Sequence, residues 1–182
     1  MNGVNALVWG IDILNEYIGR TVAWFALFMV LMQFTVVLLR YVFGLGFIPM
    51  QESVLFMHSI LFLVGAGYTL LHDSHVRVDI LYRPASERRK ALINFFGVLF
   101  FLWPLCVVMV WKGWVFVGAA VRVWEGSPEG TFMPFWLLKT LILAFPLLLS
   151  LQGFSMAAKS LCILWGRQLP KPVVIDDKAA GI

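Results

Sequence analysis

Charged residues are scarce in this sequence. Asp, Glu, Lys and Arg make up 13% of its 182 residues, and 61% of the residues are hydrophobic. A soluble globular domain is about 25% charged and about half apolar. The composition therefore excludes an ordinary soluble domain and predicts an integral membrane protein. The net charge of +4 is explained by Lys and Arg side chains that interact with anionic lipid headgroups, so it does not indicate a nucleic-acid partner.

Cysteine is also rare. The two cysteines, Cys106 and Cys162, lie within or at the end of apolar segments and have no C-x-x-C spacing. This pattern argues against a disulfide framework or thiol redox chemistry. We interpret both as packing or lipid-facing residues.

Charge is absent from four long segments. A charged side chain at the centre of a bilayer costs about 2.5 to 3.5 kcal/mol, and a spanning helix needs roughly 20 apolar residues. The sequence therefore predicts an all-α integral membrane fold with four transmembrane helices, residues 1–167 forming the membrane domain and 168–182 a flexible cytoplasmic tail. The predicted spans are about 21–39, 53–72, 91–111 with a continuation to 121 left open, and 140–158 with a continuation to 165 left open.

Lys and Arg are distributed unevenly between the two sides of these spans. The N-terminal segment, the second connection and the tail together hold ten, and the other side holds four, at Arg40, Lys112, Arg122 and Lys139. Because cytoplasmic segments carry the excess of Lys and Arg, both termini are predicted to be cytoplasmic.

Residues 4–18 have an amphipathic pattern. Apolar residues recur at helical spacing, and Asn5, Asp12, Glu16 and Arg20 group on the opposite side. The pattern predicts an N-terminal helix that lies on the membrane surface. The alternative is a cytoplasmic extension of the first span.

The predicted spans contain no acidic residue. Their strongest polar candidates are Gln33, His58, Asn94 and Gln152. A proton-coupled carrier needs a protonatable carboxylate inside the membrane, and the chain has no internal repeat of the kind on which many transporters are built. These absences favour an accessory subunit. We interpret Gln33 and Gln152 as interhelical hydrogen-bonding groups.

A redox subunit that binds haem or quinone is the competing hypothesis. It would use His58 with His72 and His75, but all three lie on or just after the second span, whereas a bis-histidine haem needs ligands that face each other. Ser59 and Ser74 lack a G-x-S-x-G setting, so a hydrolase is also disfavoured.

The segment Gly65–Tyr82, GAGYTLLHDSHVRVDILY, concentrates His, Asp and Arg at the end of the second span. Its spacing matches no strong zinc pattern, and Arg77 opposes cation binding. His75, Arg77 and Asp79 alternate with apolar residues, which predicts an extended segment where the chain leaves the membrane. The small residues Gly65 to Gly67 are expected to allow close helix packing.

These motifs resemble the small membrane subunit of tripartite ATP-independent periplasmic (TRAP) transporters, the DctQ-like family. The resemblance rests on RYVFG at Arg40–Gly44, an acid at Glu52, and GAGYTLLHDSHVRVDIL at Gly65–Leu81. Gln51 stands where the family commonly has a first acid. The motifs occupy residues 40–81, and the resemblance extends from about the N-terminal helix to Arg167.

The resemblance implies a non-enzymatic subunit of a sodium-driven importer, often for organic acids, in the bacterial inner membrane. The implied partners are a large multi-pass membrane subunit, which carries the substrate and sodium sites, and a periplasmic substrate-binding protein. It implies no cofactor in this subunit itself. The substrate is chosen by the other polypeptides.

We predict two groups of contact residues on this basis. The first group fixes helix ends and subunit contacts, with Arg40 and Glu52 close enough to pair across one short loop: Arg40, Glu52, His75, Arg77 and Asp79. The second group, Glu125 and Glu129, lies in the external loop 122–139 and is predicted to contact the binding protein.

Overall fold

The computed structural model describes residues 3–73, 82 and 84–167. Long apolar runs without Gly or Pro clusters favour helices here, because a helix satisfies every backbone polar group within the membrane. The described elements are α1 (Gly3–Val42), α2 (Ile48–Val64), α3 (Ala66–Leu71), α4 (Glu87–Gly97), a π-helical turn (Val98–Leu102), α5 (Trp103–Arg122) and α6 (Phe135–Leu164).

Four helical stretches in the described part of the chain are long and apolar enough to cross a membrane. They are Gly3–Val42, Ile48–Leu71, Glu87–Arg122 and Phe135–Leu164. The predicted all-α fold with four spanning helices is therefore confirmed. The predicted extended segment at 75–80 and the tail at 168–182 lie outside the described residues, and the cytoplasmic location of both termini stays a prediction.

Helix α6 lies at the centre of the bundle. It packs against α1, α2 and α3 on one side and against α4 and α5 on the other. One third of its most apolar window, 33%, is buried, against 11% for the corresponding window of α1. The other helices therefore present most of their apolar surface outward, as expected for helices surrounded by lipid or by another membrane protein.

The N-terminal segment and the first span form one unbroken helix, α1. Their forty-residue helix is about 60 Å long at 1.5 Å per residue, twice the thickness of the hydrocarbon core. The structure thus has the second of the two arrangements considered, an extension of the first span, rather than a separate surface helix. Its polar face is turned inward, with Asp12 and Glu16 buried, while Leu7 and Leu14 are exposed.

Prolines are accommodated inside the third and fourth helical stretches. Pro104 has no N–H to donate to the carbonyl four residues earlier. The π-helical turn immediately before it widens the helix, and the Trp103 N–H donates to the Val98 carbonyl, five residues back. Pro146 lies within α6, where the Ser150 hydroxyl donates to the Pro146 carbonyl.

Small residues bring α1 and α3 into close contact. A Cβ on Gly67 would lie 2.0 Å from the Asn15 Oδ1, and a Cβ on Gly19 would lie 2.1 Å from the Tyr68 Cγ. Ala66 of the same segment is buried in a cluster with Leu70, Cys106 and Leu149. The predicted role of the Gly-Ala-Gly segment in close packing is therefore confirmed.

Candidate functional site

Glu52 anchors the loop between α5 and α6, residues 123–134, which is the predicted external loop, to α2. Pro49 lies in the first turn of α2, where its fixed φ suits a helix start, and Glu52 follows one residue beyond that turn. Its carboxylate is buried and accepts hydrogen bonds from the hydroxyls of Ser127 and Thr131 in the loop. We call these three residues the Glu52 cluster. Since a buried carboxylate must be hydrogen-bonded, the loop and the start of α2 hold each other in place.

The same loop is tied to α6 by an ion pair. The Lys139 ammonium lies 2.6 Å from both carboxylate oxygens of Glu125, and the Trp136 N–H donates to the Glu125 carbonyl at 3.0 Å. The Lys139 Nζ also lies over the Phe116 ring of α5, 4.5 Å from its centroid. The carboxylate of Glu125 is therefore already engaged within the chain.

The outward surface of the loop consists of other residues. Glu129 is exposed, and its backbone N–H donates to the Ser127 hydroxyl at 3.1 Å. Phe132 and Trp124 are 82% and 72% exposed. Gly130 takes a positive φ of +73°, which glycine adopts in a turn without steric cost. Of the two acids predicted to contact the binding protein, Glu129 is the one that the fold leaves available.

Arg40 does not pair with Glu52. It is exposed at the end of α1, and no ion pair joins it to any residue that the structure describes. The Ser127 and Thr131 hydroxyls of the 123–134 loop bind the Glu52 carboxylate instead of Arg40. That loop is 75 residues away from Glu52 in the chain, so its approach could not be inferred from local spacing.

Replacing Glu52 with alanine should loosen the external loop. The Ser127 and Thr131 hydroxyls would lose their shared acceptor, at a cost of about 1 to 3 kcal/mol for partners left unpaired. We expect faster amide hydrogen exchange across residues 125–131 in the detergent-solubilised protein. Gln51→Ala is the matched control, since Gln51 is adjacent and exposed. Equal exchange in the two variants would contradict the anchoring role.

A second polar cluster lies at the other end of the bundle. The Asp12 carboxylate, 1% exposed, lies 2.6 Å from the Lys159 ammonium and accepts hydrogen bonds from Ser155 at 2.6 Å and Gln152 at 3.1 Å. The Asn15 amide donates to the Gln152 Oε1 at 2.8 Å. We call these five residues the Asp12 cluster. It joins the N-terminal half of α1 to the C-terminal half of α6.

Glu16 extends this connection to α3. One carboxylate oxygen lies 2.7 Å from the Arg20 Nε, and the other lies 2.6 Å from the His72 Nε2. The Tyr68 and His72 rings are 4.4 Å apart. Both acids of the N-terminal segment therefore bridge helices, whereas the amphipathic pattern placed them in water.

The sequence does carry a signal for the Asp12 cluster. Gln152, Ser155 and Lys159 recur at i, i+3 and i+7 on the fourth span, and Asp12, Asn15 and Glu16 recur at i, i+3 and i+4 on α1. Two matching polar stripes on otherwise apolar helices indicate that the helices meet there. The prediction that Gln152 bonds between helices is confirmed by its contacts with Asn15 and Asp12.

The histidines of the described residues do not form a haem pair. His72 is bonded to Glu16, and His58 lies fourteen residues earlier, about 20 Å away along the helical path. His58 stacks on Phe62 instead, with 5.6 Å between ring centroids. Among the residues that the structure describes, no three His, Cys, Asp or Glu side chains are placed to hold a metal ion.

Three predicted contact residues, His75, Arg77 and Asp79, lie outside the described residues. Their roles stay predictions. Both cysteines are free thiols, with Cys106 buried and Cys162 half-buried.

Comparison with known proteins matched one family model over residues 29–163, described as tripartite ATP-independent periplasmic transporters, DctQ component. Comparison with curated proteins gave no match, and comparison with solved structures gave none either. The matched range covers nearly all of the last three helical stretches and the last fourteen residues of the first. Members of this family are transport subunits rather than enzymes, and the transporters generally combine them with a large membrane subunit and a periplasmic binding protein. The chain is thus a multi-pass membrane protein that belongs to the DctQ family, the small permease component of TRAP transporters.

Proposed function

We propose that this subunit is a rigid scaffold that anchors and braces the large membrane subunit of a sodium-driven importer of organic acids. The large subunit carries the substrate and sodium sites and moves during transport. The small subunit holds it in the bacterial inner membrane, with both termini of this chain in the cytoplasm.

The observation that carries the proposal is that the buried acids are bonded between elements of the fold. Asp12, Glu16 and Glu52 are each bonded to side chains from another helix or from the external loop. The connections lie near both ends of the bundle. The loop that Glu52 holds is also tied to Lys139 of α6, and Asp12 is bonded to Gln152 of α6. Lys139 and Gln152 are about 20 Å apart along that helix. Buried carboxylates that are hydrogen-bonded between elements stiffen the connection between those elements, which suits a subunit that resists movement.

Copurification tests the proposal directly. The tagged chain, extracted from its native membrane in mild detergent, should bring with it a large multi-pass membrane protein of the same transporter class, identified by mass spectrometry. Deletion of the chain should abolish sodium-dependent uptake of radiolabelled organic acids by whole cells. A chain that purifies alone, or uptake that survives the deletion, would contradict the scaffold role.

Two further readouts separate the competing hypotheses. A Soret band in the absorption spectrum of the purified chain would favour the redox subunit. Substrate flux in liposomes that contain this chain alone would favour an autonomous carrier.

We also propose that the external loop helps to dock the periplasmic binding protein. Glu129→Lys should reduce uptake severalfold, because reversing an exposed charge at an interface slows association. Copurification of the large subunit should be unchanged, since Glu129 is exposed. Glu125→Lys is not an equivalent test, because it would place two ammonium groups together at Lys139. Wild-type uptake in the Glu129 variant would contradict docking through this residue.

A further inference from the structure

Two of the four polar side chains that the sequence places inside the spans are satisfied within the fold. Gln152 is buried in the Asp12 cluster, and the Asn94 amide donates to the Tyr82 hydroxyl at 3.0 Å. Gln33 and His58 differ. Both are exposed, and within the described part of the chain neither makes a hydrogen bond.

Both exposed groups lie at hydrocarbon depth on the pair formed by α1 and α2. His58 is six residues, about 9 Å, beyond the buried Glu52, and Gln33 is seven residues, about 10 Å, before Arg40. Both therefore lie well inside a hydrocarbon core about 30 Å thick. Lipid chains offer no hydrogen-bond partner, so an exposed amide or imidazole at this depth is unfavourable unless another protein covers it.

His58 lies at the middle of a narrow exposed stripe on α2. The exposed residues of this helix beyond its first turn are Gln51, Leu55, His58 and Phe62, at i, i+4, i+7 and i+11, and its remaining residues from Glu52 to Val64 are buried or half-buried. Spacing of this kind places all four side chains on one face. Neighbouring helices cover α2 on its other sides, since it packs against both α1 and α6.

The exposed face of α5 has a different composition. Val107, Trp111, Trp114 and Val115 are all more than half exposed, and these apolar side chains suit lipid. Lys112 lies over the Trp111 ring, with its Nζ 4.8 Å from the centroid. A lysine near a helix end can extend its ammonium to the headgroups, so this face needs no protein partner.

We infer that the stripe Gln51–Leu55–His58–Phe62 of α2, together with Gln33 of α1, is the surface that binds the large membrane subunit, and that a transmembrane helix of that subunit hydrogen-bonds His58. This inference rests on the proposed scaffold function, because it specifies where the partner of that function binds. The α5 face is left to lipid.

Site-specific photo-crosslinking in the native membrane tests the inference. Benzoylphenylalanine is placed at position 55 or 58, or at position 115 as the control. Val115 is 71% exposed and lies seven residues from Arg122, about 10 Å by helical rise, so its depth matches that of His58. We expect adducts with the large subunit, identified by mass spectrometry, from positions 55 and 58 and not from 115.

A pair of substitutions supplies an independent readout. His58→Leu should lower copurification of the large subunit about threefold or more, as for the loss of an interhelical hydrogen bond, and His58→Gln should retain it. Neither change should lower the thermal stability of the isolated chain. A merely structural His58 would instead destabilise the isolated chain when replaced.

The outcomes separate this inference from the proposed function. Copurification of the large subunit with the wild-type chain tests the proposed function alone, and its failure would overturn both. Successful copurification with adducts from position 115 and none from 55 or 58 would overturn the inference only. Adducts at position 58 with a second copy of this chain would overturn it as well.

Discussion

Replacing Gly19 with alanine is expected to destabilise the purified protein by about 1 to 3 kcal/mol, the usual cost of overpacking. The new Cβ would lie 2.1 Å from the Cγ and 2.5 Å from the Cβ of Tyr68. Because the Tyr68 Cβ is attached to the backbone of α3, rotation of the ring cannot relieve the clash, and α1 and α3 must separate. Thermal unfolding in detergent, followed by tryptophan fluorescence, measures the loss.

Gly10 provides a matched control in the same helix. No atom lies within 4 Å of a Cβ built at Gly10, and alanine is favoured over glycine by about 1 kcal/mol in a helix interior. Gly10→Ala should therefore leave the unfolding temperature unchanged or raise it slightly. Similar unfolding temperatures for the Gly10 and Gly19 variants would show that the close approach of α1 to α3 is not required.

Replacing Lys159 with methionine should destabilise the protein by about 2 to 3 kcal/mol. It removes the partner 2.6 Å from a carboxylate that is buried among Ser155 and Gln152. Breaking a buried ion pair costs about 3 to 5 kcal/mol. The expected value lies at or below the low end of that range because the Lys159 side chain is 29% exposed, which weakens the interaction through solvent screening.

Two further variants distinguish charge from packing at this position. Adding Asp12→Asn to Lys159→Met should restore most of the stability, because a neutral amide no longer needs a cation and still accepts from Ser155. Lys90→Met is the matched control, since Lys90 is similarly exposed but pairs with the highly exposed Glu87. Its effect should stay under about 1 kcal/mol. A double variant no more stable than Lys159→Met would contradict the charge argument.

The two ends of the bundle show where sequence reasoning works and where it stops. Pro49 favours the start of α2 because proline restricts its own backbone, and that effect is local. The Glu52 cluster depends instead on a loop that arrives from a distant part of the chain. Local spacing suggested Arg40 as the partner of Glu52. In the fold, the Glu52 carboxylate instead accepts hydrogen bonds from the hydroxyls of Ser127 and Thr131.

The N-terminal helix illustrates the same limit. Its amphipathic pattern is genuine, but a pattern alone does not say whether the polar side faces water or protein. In the fold the polar side faces inward because α6 presents Gln152, Ser155 and Lys159 at the matching spacing, although Ser155 is 143 positions away from Asp12. Asp12 is therefore a buried acid, although the amphipathic pattern predicted that it faces water.

By itself, the sequence determined the four spanning helices, the membrane class and the family. These follow from the cost of placing charge in lipid, which depends on composition within a window of about 20 residues, and from short motifs between residues 40 and 81. The tertiary structure alone decided which partner each buried acid takes. Asp12, Glu16 and Glu52 find partners within the chain while Gln33 and His58 find none among the described residues, because hydrogen bonds between helices depend on packing that local sequence does not encode.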